Sequence, residues 1–383
     1  MYSFIRFFVR LALKIYCCRI RVNDESFLDY QGPLILASNH PNSFLDAIML
    51  ASFMKQPVHF LALGESTDRY LFRWILVTFR IIPVYRLKEN RNNQERNEIS
   101  FRHCADVLLN HGTILIFSEG ICENNWLLRP IKKATARIVL GVSDYPEMQS
   151  RLRILPVGLN YNSYSGPGKM VIIQFGEPIL IRGLATGINE AERMQLLNDL
   201  LKLRLSDLML QTADQPEIVQ MMISNCPDRG SGQIKNLQEK LPGTTDPFIF
   251  SKLKNPGFLI SADHKLNQTV FMGLILALPA ALGWIIHSLI YYPLKLFIKR
   301  KTSQSVYYDS VLFTGLFLAY PIYWIACNLI VYVFLKNLWI QILFICMPLL
   351  AWITVVWKEY FQRVRNYFIL SKPERKLFSA YFI

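Results

Sequence analysis

The sequence predicts an α/β domain, with a mostly parallel sheet flanked by helices, followed by C-terminal transmembrane helices. Three observations predict it. Between Arg19 and Ile181 short apolar runs alternate with helical patterns, the arrangement of a parallel sheet covered by helices. Thr269–Leu294, Ser310–Leu335 and Asn337–Trp357 contain no Asp, Glu, Lys or Arg, and each is long enough for a bilayer core of roughly 30 Å. The 383 residues combine a hydrophobic fraction of 52% with 42 Lys and Arg against 28 Asp and Glu, a net charge of +14. That pairing excludes disorder. It points to anionic membrane lipids as partner and away from nucleic acid, whose recognition needs no apolar runs.

The elements follow in order. Residues 1–18 read as an amphipathic interfacial helix. Arg6, Arg10 and Lys14 recur every four residues on one stripe, with Phe4, Phe7, Phe8, Leu11 and Ile15 opposite. The three bases also interrupt any signal-peptide core, and the stripe is expected to face lipid phosphates. Residues 19–185 hold six expected strands: Leu34–Ser38, Val58–Leu63, Ile81–Tyr85, Thr113–Phe117, Ile154–Leu159 and Met170–Phe175. A helix is expected from about Asn92 to Asn110, with Gly112 as its stop. Residues 186–267 begin with a helix over Asn189–Gln211, opened by the capping pair Asn189 and Glu192. A polar linker broken by five prolines follows.

Residues 268–357 form the membrane region and 358–383 a basic tail. If the N-terminal domain is cytoplasmic and all three apolar runs cross, two basic clusters end outside, Lys295–Lys301 and the tail. That opposes the positive-inside tendency. Pro279 and Gly283 lie near the middle of the first run. The expectation is therefore a re-entrant 269–294, with spans at 310–335 and 337–357.

The chemistry is expected at strand ends, where such sheets carry their ligands. After the first core strand the chain reads Ala37-Ser38-Asn39-His40-Pro41-Asn42-Ser43-Phe44-Leu45-Asp46. A His there can take a proton from a hydroxyl, and a carboxylate on its other nitrogen fixes the tautomer. The third strand ends in Arg86, whose donors match phosphate oxygens. The fourth runs into Ser118-Glu119-Gly120, followed by Arg129, Lys132, Lys133 and Arg137. The fifth carries Leu155-Pro156-Val157-Gly158. The seven cysteines are scattered, with no CxxC pair and no metal-site spacing, as in a thiol-reduced compartment.

The order and spacing of these four blocks over about Val22–Ile181 resemble the phospholipid/glycerol acyltransferase superfamily. Its glycerol-3-phosphate/dihydroxyacetone-phosphate branch is similar in Asn39-His40-x-Asn42-x-x-x-Asp46, in Leu128-Arg129-Pro130-Ile131-Lys132 and in having membrane segments after the catalytic domain. The resemblance implies His40 as general base and Asp46 as its orienting partner. It implies Arg86, Glu119 and Gly120 as contacts of a glycerol-phosphate acceptor, with Lys132 and Lys133 assisting. Asn39, Ser43 and Pro156 are assigned to shaping the oxyanion or acyl site. No cofactor or metal is implied, and acyl-CoA or acyl-carrier protein enters as co-substrate and acyl donor. Two departures stand out: five residues separate His40 from Asp46 where most members have four, and Ser118 replaces the usual Pro.

The expected function is acyl transfer from a thioester to glycerol-3-phosphate or dihydroxyacetone phosphate by an integral membrane protein, its catalytic domain on the cytoplasmic face. Lysophosphatidic acid is the alternative acceptor. An inactive lipid-binding scaffold is the alternative from another class, and the full set of polar residues argues against it. A transporter would need intramembrane charge that the apolar runs lack.

Overall fold

The computed structural model describes residues 2–64, 78–85, 93–183, 189–211, 216–225, 264–302 and 305–371. Arg86, most of the 212–267 linker and the tail from 372 lie outside the described residues.

Two short, nearly uninterrupted apolar strands set the centre of the sheet. β2 (Leu34–Ser38) and β5 (Thr113–Phe117) pair in parallel register, Leu34 with Thr113 through Ser38 with Phe117. Strands buried on both faces need no polar alternation. Ile35, Ala37, Ile114 and Ile116 point into one core, and Leu34, Leu36 and Leu115 into the other. Around them lie β1 (Cys17–Val22), β3 (Val58–Leu63), β4 (Ile81–Val84), β6 (Arg153–Tyr161), β7 (Lys169–Phe175) and β8 (Ile179–Leu180). The order is β1-β7-β6-β2-β5-β3-β4, with β8 against β6. Among the described residues, only the β6–β7 and β6–β8 pairings are antiparallel. The expected mostly parallel sheet is therefore present, with β1 and β8 added to the six expected strands.

The helices are α1 (Tyr2–Tyr16), α2 (Phe44–Phe53), α3 (Asn93–Leu109), α4 (Ala134–Ser143), α5 (Pro146–Arg151), α6 (Glu190–Asp207) and α7 (Pro216–Asn225). They are followed by α8 (His264–Thr302), α9 (Tyr308–Ile330), α10 (Leu338–Ile345) and α11 (Met347–Ile369). α2 buries Leu45, Met49 and Leu50 on one face of the sheet, while α4 buries Ala136, Ile138 and Val139 on the other. The chain thus leaves β2 and β5 toward opposite faces, opening a crevice at their carboxyl ends. The capping box of α6 is formed: Asn189 Oδ1 accepts from Glu192 N–H at 2.9 Å, and Asn189 N–H donates back to the Glu192 carboxylate at 3.2 Å.

Two expectations change. First, the basic stripe of α1 does not present all its charge to lipid. Arg6 donates to Met54 O at 2.7 Å, and Arg10 donates twice to Ser52 O at 2.7 and 3.0 Å. These are the last carbonyls of α2, which have no partner within their own helix and attract cations. Phe4 and Phe7 remain 67% and 64% exposed, so α1 keeps an outward apolar face.

Second, 269–294 does not turn back on itself. It lies within α8, one helix that contains Pro279 and Pro293. Pro279 and Gly283 belong instead to a packing seam. A Cβ at Gly283 would lie 2.6 Å from Leu350 O of α11, Thr354 donates to Ala280 O at 3.1 Å, and Trp357 donates to Gly273 O at 2.9 Å. Small residues admit close helix approach, and neighbouring side chains support a proline-containing helix. The bend lies farther on, at 61° between α10 and α11. Leu266–Thr302 and Tyr308–Leu335 are long and apolar enough to cross a membrane, and the bent pair forms a third candidate if taken as one span. Gly283→Ala is expected to destabilise the α8–α11 seam by about 1–3 kcal/mol through overpacking, read as a lower thermal midpoint in detergent.

Candidate active site

The site is built where β2 and β5 end side by side. Beyond the paired ends, Ser118 N–H donates to Ser38 O at 2.9 Å, extending the ladder by one residue. Asn39 follows β2, and its side-chain amide continues the pairing toward β6: Nδ2 donates to Leu159 O at 3.0 Å and Oδ1 accepts from Leu159 N–H at 2.7 Å. Asn39 was expected to shape the oxyanion or acyl site. Its amide instead anchors the end of β2 to the neighbouring strand.

His40 comes next and is fixed on three sides. Its ring stacks on Phe117 at 3.8 Å with an interplanar angle of 9°. Nδ1 lies 2.9 Å from Asp46 Oδ2. Its carbonyl accepts from Glu123 N–H and from Arg129, both at 3.4 Å. The side chain is 17% exposed, and Nε2 has no hydrogen-bond partner among the described residues. Asp46 is fully buried in the first turn of α2. Besides His40, it accepts from Asn42 N–H at 2.7 Å and from Tyr161 OH at 2.8 Å. Burial, then the Asp46 carboxylate, pushes the Tyr161 phenol well up, so it remains a donor. A carboxylate on Nδ1 favours the tautomer that carries its proton there, which leaves Nε2 as the acceptor.

The five residues between His40 and Asp46 fit because the extra one is absorbed before the helix. Ser43 takes φ 52°, and its side chain makes no cap hydrogen bond to α2. Its N–H donates to Cys122 Sγ at 2.9 Å. Burial pushes the Cys122 thiol up to about 12, so it stays protonated near neutrality and is a poor nucleophile.

At the end of β5 the chain turns tightly. Gly120 N–H donates to Phe117 O at 3.0 Å, and Gly120 has φ +69°. A Cβ there would be strained and would meet Lys132 Cγ at 2.9 Å, so glycine is required. Glu119 faces inward and is 2% exposed. Its Oε2 accepts from Arg129 Nε at 3.0 Å and from Arg129 Nη2. Burial raises the Glu119 carboxyl, and Arg129 opposes that rise. Arg129 also reaches Ile121 O at 2.8 Å and lies 3.2 Å from the Glu123 carboxylate. Its charge is spent on organising the 119–129 loop over the His40 backbone.

The other expected site residues are placed as follows. Lys132 N–H donates to Ser118 O at 2.7 Å, and Lys133 is the cap residue of α4; both side chains are exposed beside the Glu119 turn. Pro156 is a buried sheet residue paired with Ala37, below the site. It lies between the β8 and β7 pairings of β6, where a missing N–H breaks no ladder bond. The site thus gathers His40, Asp46, Ser43, Glu119 and Gly120, with Lys132 and Lys133 at its edge. The sequence did not signal Tyr161 as the third donor to Asp46. It offered Arg129 only as one of a basic group. Phe117 could have been found from register, since its strand partner Ser38 is two residues before His40.

Comparison with known proteins bears on the same segment. Residues 19–160 match the family model described as Acyltransferase. Glycerol-3-phosphate O-acyltransferase 2 of Saccharomyces cerevisiae (strain ATCC 204508 / S288c) is 27% identical over 128 residues, which are 33% of this chain and 17% of that protein. The chain therefore spans less than a fifth of that relative's length. The crystal structure of the 1-acyl-sn-glycerophosphate (LPA) acyltransferase PlsC from Thermotoga maritima aligns over 56% of this chain and 81% of its own, with 16% identity and a TM-score of 0.40. Residues 19–160, with their paired His40 and Asp46, thus form a segment similar to the acyltransferases.

Proposed function

We propose that this protein is a membrane-bound O-acyltransferase. It moves a fatty acyl group from an acyl thioester to a hydroxyl of glycerol-3-phosphate or dihydroxyacetone phosphate, in phospholipid biosynthesis. The observation that carries the reading is the His40–Asp46 pair, at 2.9 Å, beside the carboxyl ends of β2 and β5, with Nε2 unpartnered among the described residues.

In this scheme Nε2 of His40 takes the proton of the acceptor hydroxyl as its oxygen attacks the thioester carbonyl. Asp46 stabilises the resulting imidazolium. The tetrahedral intermediate collapses with cleavage of the C–S bond, and the proton passes from Nε2 to the departing thiolate. The ester and free thiol leave, and His40 is restored. No acyl-enzyme forms, which suits a Cys122 held as a thiol. Lys132 and Lys133, exposed beside the Glu119 turn, take the acceptor phosphate together with Arg86. No cofactor takes part. The catalytic domain faces the cytoplasm, where both substrates are soluble or surface-bound, and the outward Phe4 and Phe7 of α1 lie at the bilayer interface.

Two arms of experiment test this. Lys132→Ala with Lys133→Ala is expected to raise the acceptor KM about five- to twentyfold with kcat changed less than about twofold, the mark of lost ground-state binding. Purified full-length protein, offered glycerol-3-phosphate, dihydroxyacetone phosphate and lysophosphatidic acid with a labelled acyl thioester, is expected to acylate one of the first two fastest. Preference for lysophosphatidic acid would move the assignment to the second acylation step. No labelled product with any acceptor would overturn it.

A further inference from the structure

The loop that carries His40 is not held by the catalytic domain alone. Asn42 N–H is bound to Asp46, but the Asn42 side chain donates to Asp309 Oδ2 at 2.9 Å, and its carbonyl accepts from Ser310 Oγ at 3.0 Å. Ser310 Oγ in turn accepts from Leu45 N–H at 3.0 Å. Leu45 is the second residue of α2, one of the N–H groups that a helix cannot satisfy internally. The usual source of a partner is the residue before the helix. Here that residue, Ser43, sits at φ 52° and provides no cap bond, so Ser310, from a different helix, supplies the acceptor.

Asp309 and Ser310 lie in the first turn of α9, a helix long and apolar enough to cross the bilayer. Both are buried. Asp309 accepts from Tyr16 OH at 2.6 Å, from Gly166 N–H at 2.8 Å and from Lys169 Nζ, besides Asn42. It therefore ties together the end of α1, the β6–β7 turn, the start of β7 and the His40 loop. A buried carboxylate with four donors is costly to assemble. A strained residue such as Ser43 persists only where its surroundings over-determine it.

The geometry points to Asp309 and Ser310 as positioning residues for the His40–Asp46 pair, so that the membrane helix completes the active site rather than merely anchoring it. This rests on the reading of His40 as base. Asn42 is the hinge through which the effect passes: the same residue gives its N–H to Asp46 and its side chain and carbonyl to α9. Loss of either α9 group frees the loop to shift, and displacements near 1 Å at a reacting group cost about 100-fold in rate.

The test uses full-length protein in nanodiscs. Asp309→Asn is expected to lower kcat about 10- to 100-fold, with both substrate KM values within about threefold. On an Asp46→Asn background the same change is expected to cost less than about threefold, because the pair it positions is already disabled. Losses that multiply fully would overturn the proposal, since a general structural role acts on both backgrounds alike. So would an unchanged kcat. If Asp309→Asn does not fold, Ser310→Ala, which leaves the Lys169–Asp309 pair intact, is read by the same cycle: an approximately tenfold fall supports the proposal and an unchanged kcat overturns it. If the wild-type protein transfers no acyl group, the reaction assignment fails by itself. The positioning is then read from the His40 Nδ1–H proton resonance, identified by its loss in His40→Gln. A shifted or broadened signal in Ser310→Ala supports the proposal, and an unmoved one overturns it.

Discussion

Alanine at position 40 is expected to reduce kcat by about 10²–10⁴-fold, the range for loss of a general acid–base group. The structure leaves little to replace it. Nε2 of His40 has no hydrogen-bond partner among the described residues, while Asp46, the neighbouring carboxylate, is fully buried and bound by Asn42 N–H and Tyr161 OH. Glu119, the other acid at the strand ends, is engaged by Arg129. The fold should survive. Asp46 keeps two of its three donors, so the stability cost is that of one charged hydrogen bond, about 1–3 kcal/mol. Thermal unfolding of the purified variant separates that loss from the chemical one. A kcat within tenfold of wild type, in a preparation free of host enzyme, would remove His40 from the reaction.

Lys169→Met is expected to give the largest stability loss. The Lys169 side chain is 0% exposed and the Asp309 side chain 1%. Removing one partner strands a charge away from water, which costs about 3–5 kcal/mol for buried pairs. Tyr16, Gly166 and Asn42 still donate to Asp309, which places the expected value near 3 kcal/mol, at the lower end of that range. At about 2.1 cal/mol/K per residue, the 383 residues of the chain give a fall in thermal midpoint of about 4 °C. A shift below about 2 °C would show that Asp309 finds water or another partner once Lys169 is gone.

The parts of the fold written in local pattern were legible. β2, β3 and β5 have the expected bounds because their apolar runs are short and end at turn residues. The cap of α6 follows from the Asn189 and Glu192 spacing alone. The closeness of His40 and Asp46 was also legible, since both lie within one strand-to-helix turn. β1 was not, because Arg19 and Arg21 break its apolar run, and it is an edge strand with one partner, β7. The sequence predicts a turn within 269–294, where the structure has one helix, because a proline and a glycine signal a turn locally. They serve close packing only when α11 arrives from 70 residues away. Arg6 and Arg10 read as lipid-facing because their partners, the last carbonyls of α2, are more than 40 residues distant. Asp309 gives no local signal for the same reason. It adjoins an apolar run, where an acid looks like an ordinary helix start, and its partners are Tyr16, Asn42, Gly166 and Lys169. Side chains that act through long-range contacts leave no periodic trace.

Direct transfer without an acyl-enzyme, driven by His40, is the central claim, and thiol release on rapid mixing tests it. Wild-type protein mixed with acyl thioester alone should release no stoichiometric burst of thiol and should keep its unmodified intact mass. Adding glycerol-3-phosphate or dihydroxyacetone phosphate should then start thiol release at once in the wild type and not in His40→Ala. A burst of one thiol per protein before any acceptor is added, accompanied by an acylated peptide, would contradict the account.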